Sequence, residues 1–293
     1  MSYVTISNIE DNYLPVADGT IHYCMSGHDH GQQPIIWVHG LPLDESSWYA
    51  QKIYFDAHYR NICFDMRGYG KSSRLPQPIK NVTDIYVADL VALCEHLNLD
   101  KPIVVGFASG GHGTLRFAAQ HPDRLSQLIL INGSPKFMKG DNWPFGFTVE
   151  ALEKTIKQID ATTSNDEIAS IIFDCSMQEA CTKEVAAIKK WFTSMLNDHS
   201  RETIKAFFTD IAYDDDRELI KNITVPTLIL SGYLDKEVPS ATAHYMRQAI
   251  PNSQLVELNG TDQFSFATQS HLVNQLIAQF IKPTCGVIIP DDV

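Results

Sequence analysis

Ile103-Val104-Val105-Gly106-Phe107-Ala108-Ser109-Gly110-Gly111 is the stretch whose reading decides the fold. Its first three residues are apolar and β-branched without alternation, the pattern of a strand buried on both faces. Glycines then crowd the exit, and a helical pattern follows over 109–120 until His121-Pro122 stops it. A buried strand delivered directly into a helix is the unit from which parallel sheets are built.

Working outward, the same kind of short apolar run recurs on both sides. Ile35-Ile36-Trp37-Val38, Ile62-Cys63-Phe64 and Leu128-Ile129-Leu130-Ile131 surround the first, and Thr227-Leu228-Ile229-Leu230 and Leu255-Val256-Glu257-Leu258 come late. Asp18-Gly19, between apolar stretches 13–16 and 21–25, predicts an N-terminal hairpin. Helical spacing appears over 82–97, 241–250 and 271–281. Strands alternating with helices predict an α/β fold with a doubly wound, mostly parallel sheet. Residues 135–222 break that rhythm, with amphipathic patterns at 149–159, 167–173, 183–197 and 202–212 and no clear strand. The expected organisation is a core of 1–134 and 223–282, an inserted helical cap at 135–222, and a tail at 283–293 that has no assignment.

Composition excludes several classes. At 293 residues with 44% hydrophobic and 20% charged content, the chain is long enough for one large soluble domain with an insertion. A net charge of -12 argues against nucleic acid and anionic membrane as partners, because both need clustered Lys and Arg. No run approaches the ~20 apolar residues of a membrane span, and the N-terminus lacks a signal-peptide pattern. Six scattered cysteines (Cys24, Cys63, Cys94, Cys175, Cys181, Cys285) read as buried thiols of a reducing compartment, so the cytoplasm is expected. Gly70-Lys71-Ser72 resembles the end of a phosphate loop, but the earlier glycine it requires would be residue 65, which is Asp65. His28-Asp29-His30 lacks further ligands. No cofactor and no metal site is expected, and oligomeric state is not legible.

Four patterns in order carry a resemblance. They are His39-Gly40-Leu41-Pro42, Asp65-Met66-Arg67-Gly68-Tyr69-Gly70-Lys71-Ser72, Gly106-Phe107-Ala108-Ser109-Gly110-Gly111, and Leu230-Ser231-Gly232-Tyr233-Leu234-Asp235 with Val238-Pro239. Together they resemble the α/β-hydrolase superfamily over nearly the whole chain outside 135–222 and the tail. The likeness is strongest to the cap-bearing branch of C–C bond hydrolases, epoxide hydrolases, enol-lactonases and pimeloyl-carrier-protein methyl esterases. The resemblance implies an eight-stranded-type sheet flanked by helices. It also implies a nucleophile at a strained strand-to-helix turn between two glycines. Here the glycines are Gly106 and Gly110, so the nucleophile seat falls on Ala108. A shifted register would put Ser109 there, but Phe107 would then take a small-residue position; unshifted, Ser109 is expected to point away from the tip.

The resemblance places the acid seat on Asp235. In the last loop, Asn259-Gly260-Thr261-Asp262-Gln263-Phe264, the base seat falls on Gln263, and the nearest histidine, His271, lies in the following helix. Oxyanion-hole donors would be the backbone N–H groups of Leu41 and Ser109. His39, Gly40, Phe107, Trp143 and Phe264 are candidate ligand contacts, and Asp262 is a candidate base. Each has a plainer reading. His39 reads as a locally bonded turn residue and Asp262 as a solvated loop carboxylate. Trp143, Phe145 and Phe147 either line a pocket mouth or dock the cap.

Alanine has no hydroxyl with which to form an acyl-enzyme. Glutamine donates hydrogen bonds but does not shuttle protons near neutral pH. Loss of triad members in a serine protease costs about 10⁶-fold in turnover. The expectation is a hydrolase-family protein without serine-hydrolase activity that binds a small carbonyl-containing ligand as a pseudo-hydrolase. The alternatives are a non-hydrolytic enzyme (lyase, isomerase, cyclase or cofactor-free oxygenase) using Asp235 or Asp262, a hydrolase whose nucleophile was replaced by engineering, and a purely partner-binding role.

Overall fold

The structure is a computed structural model, and it describes residues 10–140, 142–176, 185–196 and 200–281. Cys181, Cys285 and the tail 283–293 lie outside the described residues, as does the side chain of Cys175. Eight strands form one sheet: β1 Glu10–Val16, β2 Gly19–Ser26, β3 Ile35–Val38, β4 Asn61–Phe64, β5 Ile103–Phe107, β6 Gln127–Ile131, β7 Thr227–Gly232 and β8 Ser253–Leu258. Their spatial order is β1-β2-β4-β3-β5-β6-β7-β8. The hairpin at Asp18-Gly19 forms as expected, and β2 pairs antiparallel with both β1 and β4. Every other pairing is parallel. The wholly apolar runs become strands with every residue buried (β3, β4, β5, β7), because helices cover both faces and leave no solvated side to alternate toward.

The helices are α1 Tyr49–Phe55, α2 Val82–His96, α3 Ala108–Gln120, α4 Val149–Ala161, α5 Asn165–Ser176, α6 Val185–Met195, α7 Ser200–Thr209, α8 Ser240–Ala249, α9 Ser265–Thr268 and α10 Ser270–Phe280. Two of these, α1 and α9, are absent from the sequence expectation. They span only seven and four residues, too few to display a helical period. A 3₁₀ turn, Glu45–Trp48, leads into α1, started by the Asp44 carboxylate accepting from the Ser46 N–H.

Helices α4 to α7 lie in the chain between β6 and β7, as the broken rhythm of 135–222 predicts. The expected helix at 202–212 ends earlier, at Thr209, and continues as a 3₁₀ turn at Ile211–Tyr213. Charges tie this excursion to the core. Arg116 on α3 makes a bidentate pair with Asp216 at 2.9 and 3.0 Å and also meets Asp214 at 3.0 Å, while within the excursion Lys136 meets Asp215 at 2.8 Å. Cys24, Cys63 and Cys94 are buried free thiols. Among the described residues no helix is long and apolar enough to cross a membrane.

Candidate active site

β5 ends at Phe107 and α3 begins at Ala108, whose φ of 47° lies in the left-handed region. An L-residue pays about 1–2 kcal/mol for that conformation, so the turn is held by what surrounds it. The surrounding glycines explain how. A Cβ on Gly106 would overlap the Thr114 hydroxyl and come within 2.9 Å of the Gly111 Cα. One on Gly110 would overlap the His39 carbonyl oxygen, and one on Gly40 would stand 2.7 Å from the Phe107 carbonyl oxygen and 3.0 Å from the Ala108 Cβ. The His39-Gly40 loop therefore rests directly on the strand-to-helix turn. The tip residue is Ala108, not Ser109.

Ser109 corrects an expectation. Its side chain does not point away from the tip: Oγ accepts a hydrogen bond from the Leu41 N–H at 3.0 Å. Gly40 lets the loop approach so closely that a serine in the first helical turn reaches across to it. Of the two expected oxyanion donors, the Leu41 N–H is thus already paired inside the protein. The Ser109 N–H is one of the first-turn amides that a helix leaves without an intrahelical acceptor.

The other half of the site gathers at the ends of β6 and β7. Asp235 is buried; its Oδ1 accepts from the Glu237 and Val238 N–H groups at 2.8 and 3.0 Å, and its Oδ2 accepts from Asn132 Nδ2 at 2.6 Å. Gln263, also buried, turns its amide nitrogen toward the carboxylate and donates to both oxygens, at 3.0 Å to Oδ1. In that orientation the amide nitrogen faces the carboxylate oxygens, where the opposite one would set the amide oxygen against them. Burial pushes the Asp235 carboxyl well above the usual range, against the lowering effect of its hydrogen bonds to Val238, Asn132 and Glu237.

Sequence reasoning missed Asn132. With φ 50°, it also donates to the Asp262 carbonyl (3.2 Å) and accepts from the Gly232 N–H (3.2 Å). It pins the ends of β6 and β7 and the last loop to one another. The available signal was Asn132-Gly133 directly after an apolar strand, since asparagine tolerates the left-handed region.

Asp262 is not the solvated carboxylate expected. It is 2% exposed, and its Oδ1 accepts from the Phe264 N–H at 3.1 Å, closing a local turn. His39 matches its plainer reading. Nδ1–H donates to the Gly40 carbonyl (3.2 Å), Nε2 accepts from the Met66 N–H (3.0 Å), and burial pushes the imidazole pKa down. Phe107 and Phe264 pack with tilted rings 5.5 Å apart and bridge the two halves of the site; Phe264 in turn meets Phe192 of α6 at 4.7 Å. The Trp143 ring is buried against Phe145 and Tyr245 of α8, and Nε1 donates to the Lys136 carbonyl. The contact with Tyr245 docks the excursion on the core, and the other two are made within the excursion.

The elbow, the loop resting on it and a buried carboxylate past β7 define the class of fold, and comparison with known proteins gives the family. A sequence profile of the alpha/beta hydrolase fold family matches residues 33–269, and the chain belongs to that family. It is 30% identical to AB hydrolase superfamily protein YisY of Bacillus subtilis (strain 168) over 255 residues, covering 86% of this chain and 92% of the relative. It is 28% identical to a non-heme chloroperoxidase of Streptomyces lividans over 275 residues, 92% of this chain and 99% of the relative. The crystal structure of a bromoperoxidase from Bacillus anthracis superposes with a TM-score of 0.83 at 23% identity, covering 94% of this chain and all of that one, which speaks to fold.

Proposed function

We propose that this α/β-hydrolase-family chain binds a small, partly apolar, carbonyl-containing ligand beside the elbow and does not carry it through an acyl-enzyme. The observation that carries the proposal is the methyl group of Ala108 at the strained tip, where an attacking hydroxyl would stand. Gln263 strengthens it, because an amide donating to Asp235 holds the carboxylate in place without offering a base.

The ligand oxygen meets a modified hole. Having accepted from Leu41, the Ser109 hydroxyl keeps its own O–H to donate, and the Ser109 N–H adds a second donor. Apolar parts of the ligand pack toward Phe264 and Phe192, where the excursion meets the last loop. A lyase or isomerase has one observation in its favour, a buried carboxyl at Asp235 whose proton affinity is raised by its surroundings. Against it, both oxygens of that group are engaged within the protein.

The test is the double variant Ala108→Ser with Gln263→His beside the parent on short p-nitrophenyl esters, with halogenation, the activity in the Streptomyces relative's name, scored in parallel. Turnover confined to the double variant, and a parent stabilised thermally by members of a panel of esters, lactones and carboxylic acids, is the expected result. A parent that releases a burst of nitrophenol, or that no carbonyl compound stabilises, overturns the proposal.

A further inference from the structure

Away from the elbow, the N-terminal hairpin assembles a group of metal-ligand type that no motif in the sequence announces. In the β1–β2 register Asp11 lies opposite Cys24, and Tyr13 opposite His22. Side chains two apart on a strand share a face, so His22, Cys24 and Asp11 converge there. His22 Nε2 is 3.0 Å from Asp11 Oδ1, Cys24 Sγ is 3.3 Å from the same oxygen, and Sγ is 3.7 Å from Nε2. With metal–ligand bonds of about 2.0–2.3 Å, a tetrahedral zinc ion requires ligand-to-ligand separations of about 3.3–3.6 Å. The three atoms already lie close to that spacing.

A second, independent feature points the same way. Asp65 Oδ2 sits 2.7 Å from His22 Nδ1 and is itself fixed by the Lys71 N–H at 2.8 Å, while Asp65 Oδ1 accepts from the Glu45 N–H at 2.7 Å. A carboxylate on Nδ1 keeps the proton there and orients the ring, so that Nε2, which faces Asp11, becomes a ligand once its own proton leaves, the arrangement found behind zinc-binding histidines. His22 and Cys24 are buried, whereas the Asp11 side chain is half exposed and gives an entry path from solvent. Imidazole, thiolate and a single carboxylate form a borderline-soft set that favours zinc over calcium or magnesium.

We propose that Asp11 Oδ1, His22 Nε2 and Cys24 Sγ bind a zinc ion, with water at the fourth position. Binding replaces the Cys24 S–H and His22 Nε2–H bonds to Asp11 by metal–thiolate and metal–imidazole bonds, and both protons leave to solvent; no electron transfer is involved. Lys71, whose ammonium holds Asp11 Oδ2 at 2.7 Å, competes electrostatically with the ion.

The chain, stripped with chelator, is titrated with cobalt(II) and then with zinc. The expected result is one cobalt per chain, a thiolate-to-cobalt charge-transfer band, visible bands of four-coordinate intensity, and displacement by zinc. Cys24→Ser removes the charge-transfer band. Asp11→Ala weakens zinc at least tenfold, whereas Lys71→Met tightens it severalfold. The last two change half-exposed side chains and decide the matter even where Cys24→Ser fails to fold. A cobalt complex without the thiolate band, a band that survives Cys24→Ser, or an affinity indifferent to both Asp11→Ala and Lys71→Met overturns the proposal.

Discussion

Replacing Gly110 and, separately, Gly113 by alanine adds the same methyl group to the same helix three residues apart, and the two variants move stability in opposite directions. At Gly110 the methyl would overlap the His39 carbonyl oxygen and come within 2.9 Å of its carbon and 3.0 Å of the Val38 oxygen. All three are backbone atoms, and the loop cannot retreat without leaving the strand-to-helix turn. Overpacking of this kind costs about 3 kcal/mol, the upper end of the usual range, offset by about 1 kcal/mol of helix propensity. The net loss is about 2 kcal/mol. At Gly113 the nearest atom is the Tyr86 Cβ at 3.8 Å, ordinary contact, so only the propensity gain of about 1 kcal/mol remains. The variants then differ by about 3 kcal/mol, which places their melting temperatures at least about 5 °C apart. Urea titration read as midpoints at constant slope, with a thermal scan beside it, measures the difference. A Gly110→Ala protein as stable as the parent would show that the His39 loop does not rest on the elbow, and the site geometry would fall with it.

Two further substitutions probe the halves of the site. Asp235→Asn removes a carboxyl whose folded-state pKa is raised above the unfolded value of about 3.9. The native state then holds the proton more tightly, so the group's stabilising contribution is present below about pH 4 and is lost as pH rises through the folded value. Stability of the parent minus that of Asp235→Asn should therefore fall from pH 4 toward pH 8; parallel curves would contradict the burial argument. Ser109→Ala leaves the Leu41 N–H buried without its acceptor and should cost about 1–3 kcal/mol in urea denaturation. It should also weaken any carbonyl ligand found for the parent, and tighter binding would show that the hydroxyl obstructs the hole instead of serving it.

The sequence by itself determined the strands, the hairpin and the register of the elbow, because each is written in neighbouring residues. Unbroken apolar runs leave β3, β5 and β7 no choice but burial, and Gly106 and Gly110 put the sharp turn on Ala108 through sterics acting over a few bonds. Gln263 was legible for the same reason, as a fixed count from Gly260. Only the tertiary structure decided where side chains from distant segments point. Ser109 reaches Leu41 across 68 residues, Asn132 reaches Asp235 across 103, and His22 meets Asp65 across 43. Asp262 reads as polar loop in one dimension and is buried in three, because the ends of β6 and β7 close over it. The hairpin's Asp11, His22 and Cys24 carry no spacing signature, since their proximity depends on strand pairing, and pairing is a property of the folded sheet.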